Sequence, residues 1–148
     1  MKNDHPKITM REARHYFFLN PYQDIAFTHC PKCEGKTRIR KFCLMIHIQP
    51  MQLISMNKFC RFCPTCDLII AKQAEFESLL AAMCEQHVPD RIGDEYFIFG
   101  TMDRNDWKNA QARTTYPHES LHTTYPFKDV LKFEVLPGGW YPETDESG

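Results

Sequence analysis

Two short cysteine motifs of the same form are the residues of this sequence best suited to chemistry. Cys30 and Cys33 enclose Pro and Lys, and Cys63 and Cys66 enclose Pro and Thr, so both motifs have the form Cys-Pro-x-Cys. A two-residue spacing lets one tight turn present both sulfur atoms to a single ion. Two such turns supply four soft ligands, the tetrahedral set that Zn²⁺ prefers in a closed structural site. The pattern therefore predicts one structural Zn²⁺ per chain, bound by these four cysteines.

A third cysteine near the second motif leaves the ligand set open. Cys60, Cys63 and Cys66 are evenly spaced, so Cys60 with Cys63 is an alternative pair of ligands. We prefer Cys63 with Cys66 because this pair encloses a Pro at the same position as the first motif. The triplet also permits an iron–sulfur cluster, although the fourth Cys and following Pro of a bacterial ferredoxin motif do not follow Cys66. A redox-active dithiol is disfavoured because the first pair leads into a predicted strand rather than a helix.

The segments between the two motifs indicate how the turns are brought together. Residues 36–48 and 51–59 are rich in β-branched and apolar side chains, which predicts two strands. Pro50 stands between them as a break. The two strands then form a hairpin, and both Cys-rich turns lie at the same end of it.

This segment resembles the zinc-ribbon family through its two Cys-Pro-x-Cys motifs, at residues 30–33 and 63–66, around a predicted β-hairpin. The resemblance covers about residues 27–70, under a third of the 148 residues, and Cys60 departs from the pattern. It implies a structural zinc between two turns and a sheet that contacts nucleic acid or protein. The whole chain also looks like a small uncharacterised bacterial zinc-ribbon protein, a likeness that implies no function.

One amphipathic helix and several short β segments complete the predicted fold. In residues 72–87 the apolar positions recur at helical spacing and lie on one stripe: Phe76, Leu79, Leu80, Met83 and His87. Residues 95–136 predict a small C-terminal β region, and we expect the acidic tail at 143–148 to be mobile. Residues 1–148 are therefore predicted to form a single compact α+β unit. It would comprise a zinc-ribbon β-hairpin with two Cys-Pro-x-Cys knuckles, one amphipathic helix and the C-terminal β region.

Length and composition exclude several classes of protein. The chain has 148 residues, of which 43% are hydrophobic and 13% aromatic, so we expect a folded domain rather than disorder. It has no apolar run of about 18 residues to span a membrane, and its N-terminal residues lack the apolar segment of a secretion signal. Clustered cysteine pairs without an export signal favour metal ligation over disulfides, and we expect a cytoplasmic location. The sequence does not indicate an oligomeric state.

Charge is distributed unevenly along the chain, although the net charge is only −1. Residues 1–66 carry 11 Lys and Arg against 4 Asp and Glu, whereas residues 67–148 carry 7 against 15. Lys36, Arg38 and Arg40 alternate, so they share one face of the first hairpin strand. Six cations form a predicted contact surface for nucleic acid or an acidic protein partner: Lys36, Arg38, Arg40, Lys41, Lys58 and Arg61. The alternative is that these cations only balance the charge of the thiolates.

A histidine motif near the C-terminus offers a catalytic alternative. His118, Glu119 and His122 match His-Glu-x-x-His, the spacing with which a helix presents two imidazoles to zinc and a carboxylate to the attacking water. Pro117 and Pro126 limit such a helix to about two turns, and no third ligand has an evident position. The sequence therefore favours a non-catalytic zinc-binding module and keeps a zinc-dependent hydrolase as the alternative.

Overall fold

The computed structural model describes residues 10–49, 52–87, 95–109, 118–136 and 139–142. Within these ranges the elements are, in chain order, β1 (Tyr16–Asn20), β2 (Arg38–Ile48), β3 (Gln52–Cys63), β4 (Leu68–Lys72), α1 (Gln73–His87), β5 (Tyr96–Met102), α2 (Arg104–Asn109), a 3₁₀ helix (His118–Thr123), β6 (Thr124–Pro126), β7 (Asp129–Leu131), β8 (Phe133–Leu136) and β9 (Gly139–Pro142). None of the described helices is both long enough and apolar enough to cross a membrane.

Seven of the strands form one curled sheet in the order β6-β5-β2-β3-β4-β1-β7. Its centre is the long antiparallel hairpin β2–β3, in which Arg38 faces Phe62 at one end and Ile48 faces Gln52 at the other. Strand β1 pairs in parallel with β4 on one side and with β7 on the other. Strands β8 and β9 form a separate two-stranded antiparallel sheet.

The second half of β2 is buried on both faces of the sheet. Leu44 and Ile46 belong to the core cluster that includes Phe76 of α1, whereas Cys43 and Met45 belong to a cluster on the opposite face. A strand that is covered on both faces has a continuous apolar sequence instead of an alternating one. This part of β2 is therefore an interior strand, while residues 38–41 are exposed.

Helix α1 follows β4 directly and covers one face of the sheet. Phe76, Leu80 and Cys84, which are four residues apart, are buried against the strands. Met83 packs beside them, but Leu79 is exposed although the sequence places it on the same stripe. The buried stripe of the helix is thus narrower than its apolar stripe.

One short segment joins the two edges of the sheet. Strand β6 pairs with β5 at one edge and β7 pairs with β1 at the other, although only Phe127 and Lys128 separate β6 from β7. The N–H of Phe127 donates to the carbonyl of Phe99 at 3.0 Å, and the N–H of Lys128 donates to the carbonyl of His15 at 2.7 Å. Residues 124–131, here called the closing segment, therefore complete the curl of the sheet.

The predicted α+β fold class, a zinc-ribbon hairpin with a separate small β region, is wrong. Strands β5, β6 and β7, from the region predicted at 95–136, join the same sheet as the hairpin predicted at 27–70. The reason is that β2 is apolar on both faces from Phe42 onward, and a two-stranded ribbon would leave these faces in water. The helix predicted at 72–87 lies at Gln73–His87, and the tail at 143–148 lies outside the described residues.

Candidate metal centre

The four cysteines of the two predicted turns lie together at one end of the hairpin β2–β3. The Sγ atoms of Cys30, Cys33, Cys63 and Cys66 all lie within 4.8 Å of one another, and those of Cys33 and Cys63 are 3.5 Å apart. Four sulfur atoms around a zinc ion, with Zn–S bonds of about 2.3 Å, form a tetrahedron with edges of about 3.8 Å. The observed group therefore lies close enough to bind a metal ion, as predicted.

An extension of the hairpin positions the first turn. His29 and Lys36 form an isolated antiparallel bridge, and the N–H of Cys30 donates to the carbonyl of Gly35 at 2.7 Å. The second turn needs no such extension, because Cys63 is the last residue of β3 and pairs with the first residue of β4. The two turns therefore meet, because the first is attached to the extended end of the hairpin and the second joins the paired strands β3 and β4.

Backbone N–H groups donate hydrogen bonds to three of the four sulfur atoms. These bonds run from Lys32 to Cys30 at 3.3 Å, from Gly35 to Cys33 at 3.4 Å, and from Cys66 to Cys63 at 3.4 Å. Such bonds stabilise the thiolate, which is the form that binds metal. The bond from Gly35 holds the pKa of the Cys33 thiol below its usual value.

Desolvation has the opposite effect on the thiol pKa of two other ligands. Burial raises the pKa of the thiols of Cys30 and Cys66 above the usual value. A bound cation would reverse this effect, because its charge favours the thiolate more strongly than burial disfavours it. Metal binding at this site would therefore release protons.

Each turn ends in a residue with a left-handed backbone conformation. Glu34 follows Cys33 with φ of 66°, and Asp67 follows Cys66 with φ of 57°. Such values are uncommon for residues other than glycine, and here they recur at the same position of both turns. A Cβ at Gly35 would lie 3.3 Å from the Sγ of Cys33, a tight contact that favours glycine at this position. The two turns therefore end in the same backbone conformation.

Cys60 lies outside this group of sulfur atoms. It is 3% exposed in the cluster beneath α1, and its Sγ donates to the carbonyl of Lys58 at 3.6 Å. Burial raises the pKa of its thiol to about 12. Because side chains alternate along β3, Cys60 and Cys63 point to opposite faces of the sheet. Of the two pairs that the sequence left open, the structure brings Cys63 and Cys66 together with the first motif.

The six cations predicted as a contact surface do not form one group. Four of them are exposed at the outer end of β2 or just before it: Lys36, Arg38, Arg40 and Lys41. Arg61 is half-buried, and Lys58 is 7% exposed with its Nζ 3.0 Å from Oε1 of Glu75 on α1. Lys58 therefore contributes to the contact between sheet and helix rather than to an open surface.

The histidine motif lies on a 3₁₀ helix, His118–Thr123. With three residues per turn, positions four apart are about 120° apart around the axis, compared with about 40° in an α-helix. The side chain of His122 is exposed, and its carbonyl accepts a hydrogen bond from Nε of Arg11 at 3.3 Å. The side chains of His118 and Glu119 lie outside the described part of the chain. This backbone does not provide the α-helical turn on which the zinc-peptidase arrangement depends.

Asp67 forms a contact that the sequence does not predict. Its Oδ1 lies 2.6 Å from Nδ1 of His15, and its Oδ2 lies 3.5 Å from Nζ of Lys128. Burial alone would raise the pKa of the Asp67 carboxyl, but His15 and Lys128 hold it below its usual value. Because Asp67 follows Cys66, it connects the second turn to the closing segment. In the sequence, only the position of Asp67 directly after the second motif could have indicated this contact.

Comparisons with known proteins gave no match: no family model, curated protein or solved structure matches this chain. The resemblance to the zinc-ribbon family over residues 27–70 therefore stays a prediction that rests on the two Cys-Pro-x-Cys motifs. The fold and the site define a mostly β protein with four cysteines positioned to bind a metal ion.

Proposed function

We propose that the protein is a non-catalytic binding module, stabilised by one structural Zn²⁺, whose partner is nucleic acid. The observation that carries the proposal is the group of four Sγ atoms within 4.8 Å of one another. Thiolates are soft ligands that favour Zn²⁺ over Mg²⁺ or Ca²⁺. Four of them occupy every position of a tetrahedral ion, so no position is left for water or substrate. Such an ion stabilises the fold and performs no chemistry.

The position of the four cysteines supports a structural role for the ion. Cys30 and Cys63 are buried in a core cluster with Phe18 and Leu68. The ion would therefore cross-link the turn before β2 to the end of β3, and it would hold both against the core beneath β1 and β4. Its removal would free the two turns and expose this cluster.

Metal content tests this part of the proposal. We expect one zinc per chain in protein purified without added metal, and we expect Cys66→Ala to lose most of it because a three-ligand site binds zinc more weakly. Cys60→Ala is the matched control, since it removes a neighbouring thiol outside the sulfur group and should keep the metal. Elemental analysis of each purified variant, with protein concentration measured on the same sample, gives the stoichiometry.

Two results of this measurement would contradict the proposal. One is iron in place of zinc, which would indicate a redox centre. The other is metal loss in Cys60→Ala with metal kept in Cys66→Ala, which would assign the site to the alternative pair.

The exposed end of β2 supports nucleic acid as the partner. Arg38 and Arg40 are exposed on the same face of the strand. On the other face, Phe59 is 64% exposed and its ring centroid lies 5.6 Å from Nζ of Lys41. Cations of this kind contact phosphates, and an exposed aromatic ring can stack on an unpaired base. The combination fits a single strand better than it fits an acidic protein.

Removing two cations from this end of β2 tests the choice of partner. We expect Lys36→Ala/Arg38→Ala to reduce the slope of log affinity against log salt by about 1.4, because each lost phosphate contact on a single strand contributes about 0.7. Fluorescence anisotropy with a labelled single strand of about 12 nucleotides, without terminal phosphates, measures this slope.

The matched control for this test is Lys72→Ala/Lys132→Ala. It removes the same charge from residues that do not belong to the exposed end of β2 or to the turn before it, and it should leave the slope unchanged. The proposal fails if the unmodified protein does not bind the strand at low salt, or if the control lowers the slope as much as the test variant does.

A further inference from the structure

A cavity of about 450 Å³ lies between the exposed end of β2 and helix α2. Its walls come from Arg14 and His15 before β1, from residues 40–43 of β2, and from residues 101–104 and α2. Strand β5 pairs with β2 only from Cys43 onward, so no described strand covers this side of β2 before Cys43. The volume is that of a site for one small molecule rather than for a polymer.

The cavity is strongly basic. Five cationic side chains line it: Arg14, Arg40, Lys41, Arg104 and Lys108. Asp103 is the only carboxylate among its described lining residues, and it already pairs with Arg14, whose Nη1 lies 3.2 Å from its Oδ1. The other four cations form no ion pair with a described residue. Four cations without an ion pair to the described part of the chain, placed around one concave space, create a positive potential that an anion would relieve.

Aromatic rings hold two of these cations in place. The guanidinium of Arg14 lies 3.6 Å from the ring centroid of Tyr125, and that of Arg40 lies 4.9 Å from Phe42 and 5.1 Å from Phe62. A guanidinium fixed in this way loses less conformational entropy when it binds a ligand. The preorganised donors suit a phosphate group, which arginine recognises with paired hydrogen bonds.

One wall of the cavity is aromatic rather than charged. Trp107 of α2 lines it and is half-buried against the core cluster of Cys43 and Met102. An indole ring beside a group of cations offers a stacking surface next to a phosphate site, the combination by which proteins bind nucleotides.

We infer that this cavity binds a nucleoside 5′-phosphate, with the phosphate among Arg40, Lys41 and Arg104 and the base against Trp107. The ligand is a free mononucleotide or the 5′ end of a strand, since both present the same group. In the second case the inference rests on the proposed function, because the strand would continue along the exposed end of β2.

The test measures binding of 5′-AMP to the full zinc-loaded chain at low salt by titration calorimetry. We expect saturable binding of one molecule per chain, and we expect Arg104→Ala/Lys108→Ala to weaken it about tenfold or more. Adenosine, which lacks the phosphate, and ribose 5-phosphate, which lacks the base, should each bind about tenfold more weakly than 5′-AMP. Arg104 and Lys108 are exposed, and the zinc content of the variant shows whether it is folded.

The control for this test is Lys72→Ala/Lys132→Ala, which removes two cations that do not line the cavity and should leave 5′-AMP binding unchanged. Failure of the inference is separate from failure of the proposed function, which Lys36→Ala/Arg38→Ala tests with a strand that has no terminal phosphate. The inference is overturned if 5′-AMP does not bind, if adenosine binds as well as 5′-AMP, or if Arg104→Ala/Lys108→Ala leaves the affinity unchanged.

A second comparison identifies the source of the ligand. The affinity of a single strand with a 5′-phosphate is compared with that of the same strand with a 5′-hydroxyl and with that of 5′-AMP. If the phosphorylated strand binds more tightly than both, the natural ligand is the 5′ end of a strand. Equal binding of the two strands, together with saturable 5′-AMP binding, supports the free mononucleotide.

Discussion

At the scale of single residues, Lys58 shows how a charge predicted for the surface becomes part of the core. It is 7% exposed, and its Nζ lies 3.0 Å from Oε1 of Glu75, a side chain that is itself mostly exposed. We expect Glu75→Ala to lower the free energy of unfolding by about 1–3 kcal/mol, because it leaves a buried ammonium without its ion-pair partner and with only a hydrogen bond to the carbonyl of Phe59. Denaturant unfolding of the metal-loaded protein measures the change.

Two further variants separate this explanation from a general effect on the helix. Lys58→Met removes the buried charge and keeps most of the packing, so we expect it to cost less than Glu75→Ala. Glu85→Ala removes an exposed carboxylate from the same helix and should have little effect. A larger loss of stability in Lys58→Met than in Glu75→Ala would contradict the explanation.

Single residues also show what the sequence can predict. The spacing of the two Cys-Pro-x-Cys motifs predicts the observed group of four sulfur atoms because each turn is a local structure. The burial of Lys58 does not follow from its neighbours in sequence. Alternation places Lys58 on the same face of the hairpin as Phe42, but only the packing of α1 decides that this face is covered.

At the scale of elements, a hydrogen bond between β5 and α1 makes stability depend on pH. The hydroxyl of Tyr96 donates to Oε2 of Glu77 at 2.7 Å. Burial, and then the charge and hydrogen bond of Glu77, raise the pKa of Tyr96 above its usual value. The unfolded chain therefore loses this proton near pH 10 while the folded chain keeps it, so this contribution to stability is present below about pH 10 and decreases at higher pH.

The variant Tyr96→Phe tests this dependence. We expect it to be less stable than the unmodified protein by about 1 kcal/mol at pH 8, because the hydrogen bond is lost. The difference should shrink as the pH rises above about 10, because only the unmodified protein has the hydroxyl at this position. Unfolding free energies of both proteins from neutral to alkaline pH give the comparison, and a difference that stays constant would contradict the assignment.

The sequence predicts the elements that have a local pattern of apolar residues, but it does not predict which strands pair with one another in the sheet. The hairpin and the helix α1 are visible in the sequence as an apolar run and a helical stripe. The parallel pairing of Tyr16–Asn20 with Leu68–Lys72 has no local signal, because no turn connects these strands. The curled sheet depends on such distant pairs, so the local patterns of the sequence predict a ribbon instead.

At the scale of the whole molecule, the closing segment makes the two edges of the sheet depend on each other. Gly100 of β5 pairs with Pro126 of β6, and a Cβ at Gly100 would collide with the backbone carbonyl oxygen of Tyr125. We expect Gly100→Ala to displace β6 and to lower the free energy of unfolding by about 1–3 kcal/mol. Amide hydrogen exchange should then become faster in β7 and β1 as well as in β6, because residues 124–131 contact both edges.

Exchange that changes only in β5 and β6 would contradict this coupling. It would show that β7 remains paired with β1 when β6 is displaced, and that the two edges are independent.

The basic cavity is also a property of the whole molecule, because its lining residues are distant in the sequence. No sequence motif therefore indicates it. Arg14, Arg40 and Arg104 come from three distant parts of the chain, and only the curl of the sheet brings them to one space. A charge pattern along the sequence identified the cations of β2 and missed Arg104 and Lys108, since residues 67–148 are acidic as a whole.

The order in which the chain is synthesised gives the closing segment a further consequence. All four cysteines lie within residues 30–66, whereas the closing segment is residues 124–131, so the sulfur atoms leave the ribosome while the last strands are still being translated. During that interval the hairpin has unpaired edges, which are prone to pair with other nascent chains. An ion captured at this stage would hold the two turns together before the sheet can close. The supply of metal during translation would then determine how much protein folds, in addition to how stable the folded protein is.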